Sequence, residues 1–483
     1  MRVLQYAIRP IVVGKYFGEL LTALAALTAV PLIVSIILGD YRVSVRYLAV
    51  IAFSLALGVS LMRIRAPERM QVNEAMVITA LIFSVSPLLM AWPVMASGLG
   101  FLDALFETIS AVTTTGLSTL ASLQGKPDTF LFGRAWMAWV GGVGIVVLSL
   151  AVMIQPGVTA KRLDISEDYD DDLIGSTRGN ARRIFAIYLI ITGAGIILLW
   201  IAGSAWFESI LYTFAAVSTG GFAPQDASLA GVENTLGQFT VIMVSVLGGI
   251  SLLLYHRIYH FGWKALLNDR QLQSFCAAGV LTALLLTLFL WLKDHMAWRS
   301  ALHHGVLNGL SAQSTAGFSS LDIAELGQGS KLTLIFSMAA GGCIGSTAGG
   351  IKILRLLILF RLLLLLLQRT GMPANAVSAA RLSGRRLESE EISDALCLIA
   401  VFLGFVTLSW MPFLALGCEP LSSLFEIVSA ISTTGLSAGL SGPELHPVLK
   451  GVLCANMLLG RLEIMAWLVF LYPRTWIGRR MEA

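Results

Sequence analysis

The sequence predicts an all-α polytopic membrane protein. Two extra N-terminal transmembrane helices precede four pseudo-repeats of helix, re-entrant pore loop and helix around a central pore. Three observations predict it. Of 483 residues, 56% are hydrophobic and 13% charged, against roughly 25% charged in soluble domains. Apolar stretches of bilayer-crossing length recur along the whole chain, and the mean hydropathy is +0.80. A polar phrase, first met as AVTTTGLS at 111–118, returns three more times between those stretches.

Spans are expected at 14–39, 47–62, 75–97, 128–155, 181–202, 236–254, 271–293, 330–368, 392–415 and 447–471, the second of them short. Between them lie semi-apolar pieces at 102–112, 206–217, 300–313 and 420–431. These are too short to cross a core of ~30 Å and are expected as re-entrant half-helices. Charge supports the same topology. With the N-terminus in the cytoplasm, Lys and Arg concentrate on the inner side, Arg178, Arg182, Arg183, Arg381, Arg385 and Arg386 among them. The positive-inside rule is then met, but only if each short piece returns to the outer side it entered from. The expected division is a two-helix segment at 1–70, then repeats at 71–165, 166–265, 266–385 and 386–483.

Several features carry bland readings. Met1–Pro10 is basic, but the apolar run after it is too long for a signal-peptide core, so no cleavable signal is expected. The cysteines (Cys276, Cys343, Cys397, Cys418 and Cys454) are scattered and mostly inside apolar runs. They are expected as small buried hydrophobes, not as disulfides or metal ligands. The acidic inner loop at 156–180 is expected to be solvated, with partner docking as the minority view. The basic character of 369–391 suits anionic membrane lipid.

The repeat is the decisive signal. SAVTTTGLS (110–118), AAVSTGGFA (215–223), SAQSTAGFS (311–319) and SAISTTGLS (429–437) align without a gap. Gly116, Gly221, Gly317 and Gly435 are invariant, as are Thr114, Thr219, Thr315 and Thr433. A second echo follows each copy: GGVG at 141–144, LGGI at 247–250, GGCIG at 341–345 and LGR at 459–461. Non-helical backbone survives at membrane depth only where protein buries it or water lines it. Four such loops about one axis would turn their carbonyls to a common centre, where oxygens replace a monovalent cation's hydration shell. Glycine permits the positive φ this needs, and the half-helices aim their negative C-terminal ends at the centre. The candidate ligands of a monovalent cation are therefore Thr113, Thr114, Thr115 and Gly116; Ser218, Thr219, Gly220 and Gly221; Ser314, Thr315, Ala316 and Gly317; and Ser432, Thr433, Thr434 and Gly435. Glu107 and Glu426, equivalent in half-helices one and four, are expected to deepen the outer negative potential or to anchor their half-helices. Asp103 is a candidate helix cap.

FETISAVTTTGLST, WVGGVGIVVLS, STGGF, STAGF, GGCIGSTAGGIK and LLGRLE, in that order, resemble the signatures of the Trk/Ktr/HKT superfamily of K+ transporters. Within it the chain resembles the bacterial TrkH/TrkG-like pore-forming subunits, and the likeness covers almost the whole sequence. The resemblance implies a K+-conducting pore in the bacterial cytoplasmic (inner) membrane, with both termini cytoplasmic. It further implies a homodimer and a cytosolic regulatory subunit of the TrkA type that binds nicotinamide or adenine nucleotides. Relatives that pass Na+ often carry serine at the first filter glycine; Gly116 here favours K+. The fourth filter, STTGLSAG, departs from the Asn-containing version of close relatives.

A gate is expected below the filter. As one helix, 330–368 would run roughly 58 Å at 1.5 Å per residue, nearly twice the core thickness. Inside it AAGGCIGSTAGGIK (339–352) is too rich in glycine to stay helical, since each costs ~1 kcal/mol against alanine. Gly341, Gly342, Gly345, Ser346, Thr347, Gly349 and Gly350 are the candidate gate loop, matching one the family has. Arg461 sits near mid-span of the last helix, where an arginine is a functional candidate by default. It is expected either to raise the barrier for cations by its charge and bond that loop's carbonyls when closed, or to pair with Glu463 or another carboxylate. Enzymatic function is not expected: the six histidines form no HExxH, and GSTAGGIK lacks both the spacing and the preceding strand of a phosphate loop. A coupled cation symporter, or a less selective Na+/K+ pore, with the same filter remains the alternative. Nucleic acid is not an expected partner.

Overall fold

The computed structural model describes residues 7–67, 70–153, 177–262, 264–371, 373, 380–382 and 385–478. The acidic run before Thr177, with its docking expectation, lies outside them. Two long helices open the chain, Pro10–Ile37 and Tyr41–Met62. The second is longer than its hydropathy suggested, because Asp40 caps it at the Val43 N–H right after the tight turn at Gly39. The pair packs closely where Gly18 and Gly58 face each other, since a Cβ on either would strike the other's carbonyl.

Among the described residues six helices are long and apolar enough to cross a membrane: Pro10–Ile37, Tyr41–Met62, Val72–Ser97, Ala181–Ile201, Arg270–Leu292 and Ser389–Ala415. Leucine, isoleucine and phenylalanine such as Ile37, Phe53, Ile190, Leu284 and Leu408 point outward from them. The four short pieces are helices at Phe101–Val112, Trp206–Val217, Trp298–Gln313 and Pro420–Ile431. Each is buried over most of its second half, so the half-helices form the centre and the long helices the lipid-facing shell. The fold is a multi-pass α-helical membrane protein.

The final helix of the first repeat, Asp128–Met153, is continuous. The other three break. Thr235–Gly249 stops at Ile250 before Leu252–Phe261; Gln328–Ala340 and Ile353–Arg369 flank the glycine loop; Pro447–Arg461 bends by 110° into Met465–Leu471. Only the break at 341–352 was legible as glycine excess. The other two correct the expected continuous spans at 236–254 and 447–471. At the last bend Glu463 and Ile464 both take positive φ, so the helix cannot continue. All five cysteines are free, but only Cys343 and Cys454 are buried, whereas Cys276 and Cys397 face outward.

Candidate functional site: a ring of four loops and the segment beneath it

Each half-helix ends in the same way. Thr114, Thr219, Thr315 and Thr433 adopt φ of 52°, 52°, 51° and 49°. In the first repeat Thr115 N–H donates to Ser110 O (2.8 Å) and Thr114 N–H to Ala111 O (2.9 Å). The same two bonds recur at Gly220 and Thr219, Ala316 and Thr315, and Thr434 and Thr433. This is a Schellman termination with threonine at the left-handed position glycine usually fills. A β-branched residue there is strained by about 1–3 kcal/mol. The sequence signalled the glycines but not this conformation of the threonines.

The termination directs the N–H groups back into the half-helices and leaves the carbonyls free. Among the described residues, the Ser218 carbonyl accepts only from the Thr219 hydroxyl and the Gly220 carbonyl from the Phe222 N–H. Among the described residues the carbonyls of the other candidate filter residues accept no hydrogen bond. Gly116, Gly221, Gly317 and Gly435 follow with φ of 90°, 67°, 76° and 90°. Their neighbours close a ring. A Cβ on Gly116 would meet Gly220 O and Gly221; on Gly221, Ala316 O and Gly317; on Gly317, Thr434 O; on Gly435, Thr115 O and Gly116. Backbone therefore touches backbone in the order one, two, three, four, one, at a spacing that admits no side chain.

The residue nine positions before each filter glycine clamps the strand that leaves the filter. Glu107 accepts from the Thr119 N–H (3.0 Å) and the Ser118 hydroxyl (2.5 Å); Glu426 accepts from the Ala438 N–H (3.0 Å) and the Ser437 hydroxyl (2.5 Å). Asn308 accepts from the Ser320 N–H at 3.0 Å, and Tyr212 donates to Ser228 O at 2.9 Å. Both glutamates are fully buried, so they anchor loops and do not line an outer mouth. Arg134 pairs with Glu107 at 3.1 Å and lies over the Phe222 ring, joining repeats one and two. Asp103 is not a cap: Gly100 holds that position, and the Asp103 carboxylate takes the Lys450 ammonium (2.6 Å) and the Thr119 hydroxyl.

The second echo has a packing role. A Cβ on Gly141, Gly248 or Gly460 would overlap the carbonyl of Val112, Val217 or Ile431, at the end of the corresponding half-helix. In the third repeat the Gln313 amide donates to Gly341 O at 2.7 Å.

Beneath the ring, residues 341–352 cross without helical structure, and part of their polar backbone bonds to the broken second-repeat helix. Cys343 N–H donates to Gly249 O (3.0 Å), Thr347 N–H to Gly248 O (3.2 Å), and Leu252 N–H to Gly345 O (3.0 Å). The loop meets the filter threonines directly: Gly349 N–H donates to Thr315 Oγ1 at 2.8 Å, and the Thr347 and Thr219 hydroxyls are 3.4 Å apart. A Cβ on Gly349 would strike Ser432 O and Thr433 Oγ1. Gly342 is packed against Ala348, Ser346 donates to Cys343 O, and Gly350 turns the chain with φ of 80°.

Arg461 is buried and donates to Thr347 O (2.7 Å) and Gly141 O (2.9 Å). Glu463 does not pair with it but with Arg355, at the start of the helix that follows the loop. Sequence reasoning missed two groups here. Arg355 looked like one more inner cation, and Lys352, buried with φ of 78°, donates to Ala348 O at 2.5 Å. Among the described residues, no cluster of three or more His, Cys, Asp or Glu side chains is placed to hold a metal.

Comparison with known proteins agrees with this architecture. Residues 42–475 match the family described as TrkH, cation transport protein. The Trk system potassium uptake protein TrkH of Escherichia coli is 30% identical over 390 residues, 77% of this chain and 79% of that one. TrkI of Halomonas elongata, also named a Trk system potassium uptake protein, is 28% identical and covers 96% of both chains. The crystal structure of the potassium transporter TrkH from Vibrio parahaemolyticus shares the fold, with a TM-score of 0.87 at 24% identity over 97% of this chain and 100% of that one. The chain belongs to the TrkH family of cation transport proteins, membrane transporters and not enzymes.

Proposed function

We propose that this protein takes up K+ through the ring of four loops, with the carbonyls from Thr113 to Gly116 and their counterparts as ligands. The observation that carries the reading is the shared termination of all four half-helices. It returns N–H groups to the helices and strains four threonines, yet leaves a ring of carbonyls with almost no donor. Such oxygens are suited to replace the hydration shell of a monovalent cation. The hydroxyls of Thr219, Thr315 and Thr433 meet the loop at 341–350, and that loop is the gate in this reading. Arg461 holds it through Thr347 O and adds a fixed positive charge below the filter.

The rest of the assignment follows the same reading. The chain sits in a bacterial cytoplasmic membrane with both termini inside, works as a homodimer, and is opened by a nucleotide-binding cytosolic subunit of the TrkA type. The test is isotope flux into liposomes holding this chain alone, with K+, Rb+, Na+ and Li+ in competition. Preference for K+ and Rb+ is expected; equal flux of all four would refute the filter. Unstimulated flux is expected to be low and to rise when the cytosolic subunit is added. High flux without it would remove the gate from the assignment while leaving the filter intact.

A further inference from the structure

Away from the pore, on the side where the third repeat begins and ends, three arginines converge on one cleft of about 700 Å³. Arg270 opens the helix Arg270–Leu292, Arg361 lies on the helix that follows the glycine loop, and Arg381 is in the short hairpin beyond it. Asn268, Gln273 and Ser274 line the same space. Among the described residues none of the three guanidinium groups forms an ion pair or donates a side-chain hydrogen bond. The adjacent carboxylate, Asp269, is engaged in capping the Leu272 N–H at 2.7 Å.

Solvation at a membrane edge accounts for Arg270 and Arg381, which are exposed. It does not account for Arg361. That residue interrupts the run ILRLLILFRLLLLLL, it is half-buried, and its Nε is sealed from solvent with no acceptor. A guanidinium has only donors, and a charged donor sealed from solvent without an acceptor is costly. Three like charges around one space, one of them with a sealed donor, call for an anion with several acceptor oxygens. Guanidinium forks match phosphate in this way. Leu357 and Leu382 line the same cleft, which gives an acyl chain an apolar surface to follow.

We propose that this cleft binds a phosphate group, as an anionic lipid headgroup or as free phosphate, and so ties the start of Arg270–Leu292 to the helix carrying the glycine loop. The proposal does not depend on which ion the pore selects. Purified, delipidated full-length protein is titrated with phosphatidylglycerol, phosphatidylcholine and inorganic phosphate, with bound ligand counted by native mass spectrometry and melting followed in parallel. Selective retention of phosphatidylglycerol, weakened about tenfold or more by Arg361→Gln, identifies the headgroup. Stabilisation by inorganic phosphate that also displaces phosphatidylglycerol identifies the free anion. Should Arg361→Gln aggregate, the double variant Arg270→Gln/Arg381→Gln, at exposed positions, carries the same expectation. Arg474→Gln, elsewhere on the surface, is expected to change nothing. Equal retention of the two lipids with no phosphate effect, or binding unaltered by the arginine variants, overturns the proposal.

Discussion

Arg461 holds the loop beneath the filter with one hydrogen bond, to Thr347 O, while its other bond goes to Gly141 O on a continuous helix. If the loop leaves on opening, the first bond breaks and the second stays. A hydrogen bond from a charged donor contributes about 1.5–3 kcal/mol, and 1.36 kcal/mol is a factor of ten. Arg461→Met should therefore raise the unstimulated open fraction, and with it Rb+ flux into liposomes, by about ten- to 150-fold. Folding should not suffer in proportion. The Arg461 Nε has no partner, and no carboxylate pairs with the side chain among the described residues. An apolar replacement of similar volume thus removes a buried charge that was never neutralised. The expected pairing is higher basal flux with an unchanged or raised melting temperature. Arg461→Lys should fall between, because one ammonium cannot span both carbonyls with the fork geometry. If folded Arg461→Met protein shows wild-type flux and wild-type dependence on the cytosolic subunit, the loop is not held by this residue.

Four further outcomes are expected. Gly349→Ala places a methyl against Ser432 O and Thr433 Oγ1, so it should dislodge the loop and raise basal flux; lower flux would place the loop's contact elsewhere. Gly435→Ala puts a Cβ onto the Thr115 carbonyl and should abolish selective flux while leaving the helical content seen by circular dichroism intact. Glu107→Gln removes the carboxylate paired with buried Arg134 and should cost about 3–5 kcal/mol of stability; Glu107→Gln/Arg134→Met should recover much of the lost melting temperature. Reversing the Arg355–Glu463 pair as Arg355→Glu/Glu463→Arg should restore regulated flux that each single substitution impairs, and failure of both the singles and the double to alter flux would detach that pair from gating.

The ring was legible because side-chain identity and backbone need coincide there: glycine marks Gly116 and its counterparts, and four copies amplify a signal one copy would not carry. The glycines of the second echo were visible too, but their purpose was not. Gly141, Gly248 and Gly460 receive the half-helix ends, a contact between separate helices of a repeat that no local pattern encodes. The threonines show a different limit. Nothing in STTG announces that Thr433 takes φ of 49°, because propensity argues against it; only the two Schellman bonds and the packed ring overdetermine it. Asp103 followed local capping logic and yielded to Lys450, 347 positions away.

The three broken final helices obey one constraint that sequence reading treats piecemeal. A chain buried in a membrane must satisfy every backbone polar group from within, so a single unwound segment at 341–352 would be expensive alone. The second-repeat helix stops at Gly249, and the carbonyls at its end become acceptors for Cys343 and Thr347 N–H. The last helix stops at Arg461, and its guanidinium takes the carbonyl of Thr347. Breaks in repeats two and four thus complement the break in repeat three, while the unbroken helix of repeat one supplies Gly141 O as a fixed anchor. The asymmetry has a mechanical consequence. The ring is held by four equivalent terminations, but the segment beneath it is held by single bonds to the second-repeat helix, to Arg461 and to Gln313 and Thr315 of its own repeat. Movement of the helix Ile353–Arg369 is expected to break the bonds from Gly349 N–H to Thr315 Oγ1 and from Arg461 to Thr347 O together, while the Schellman bonds that shape the ring stay in place.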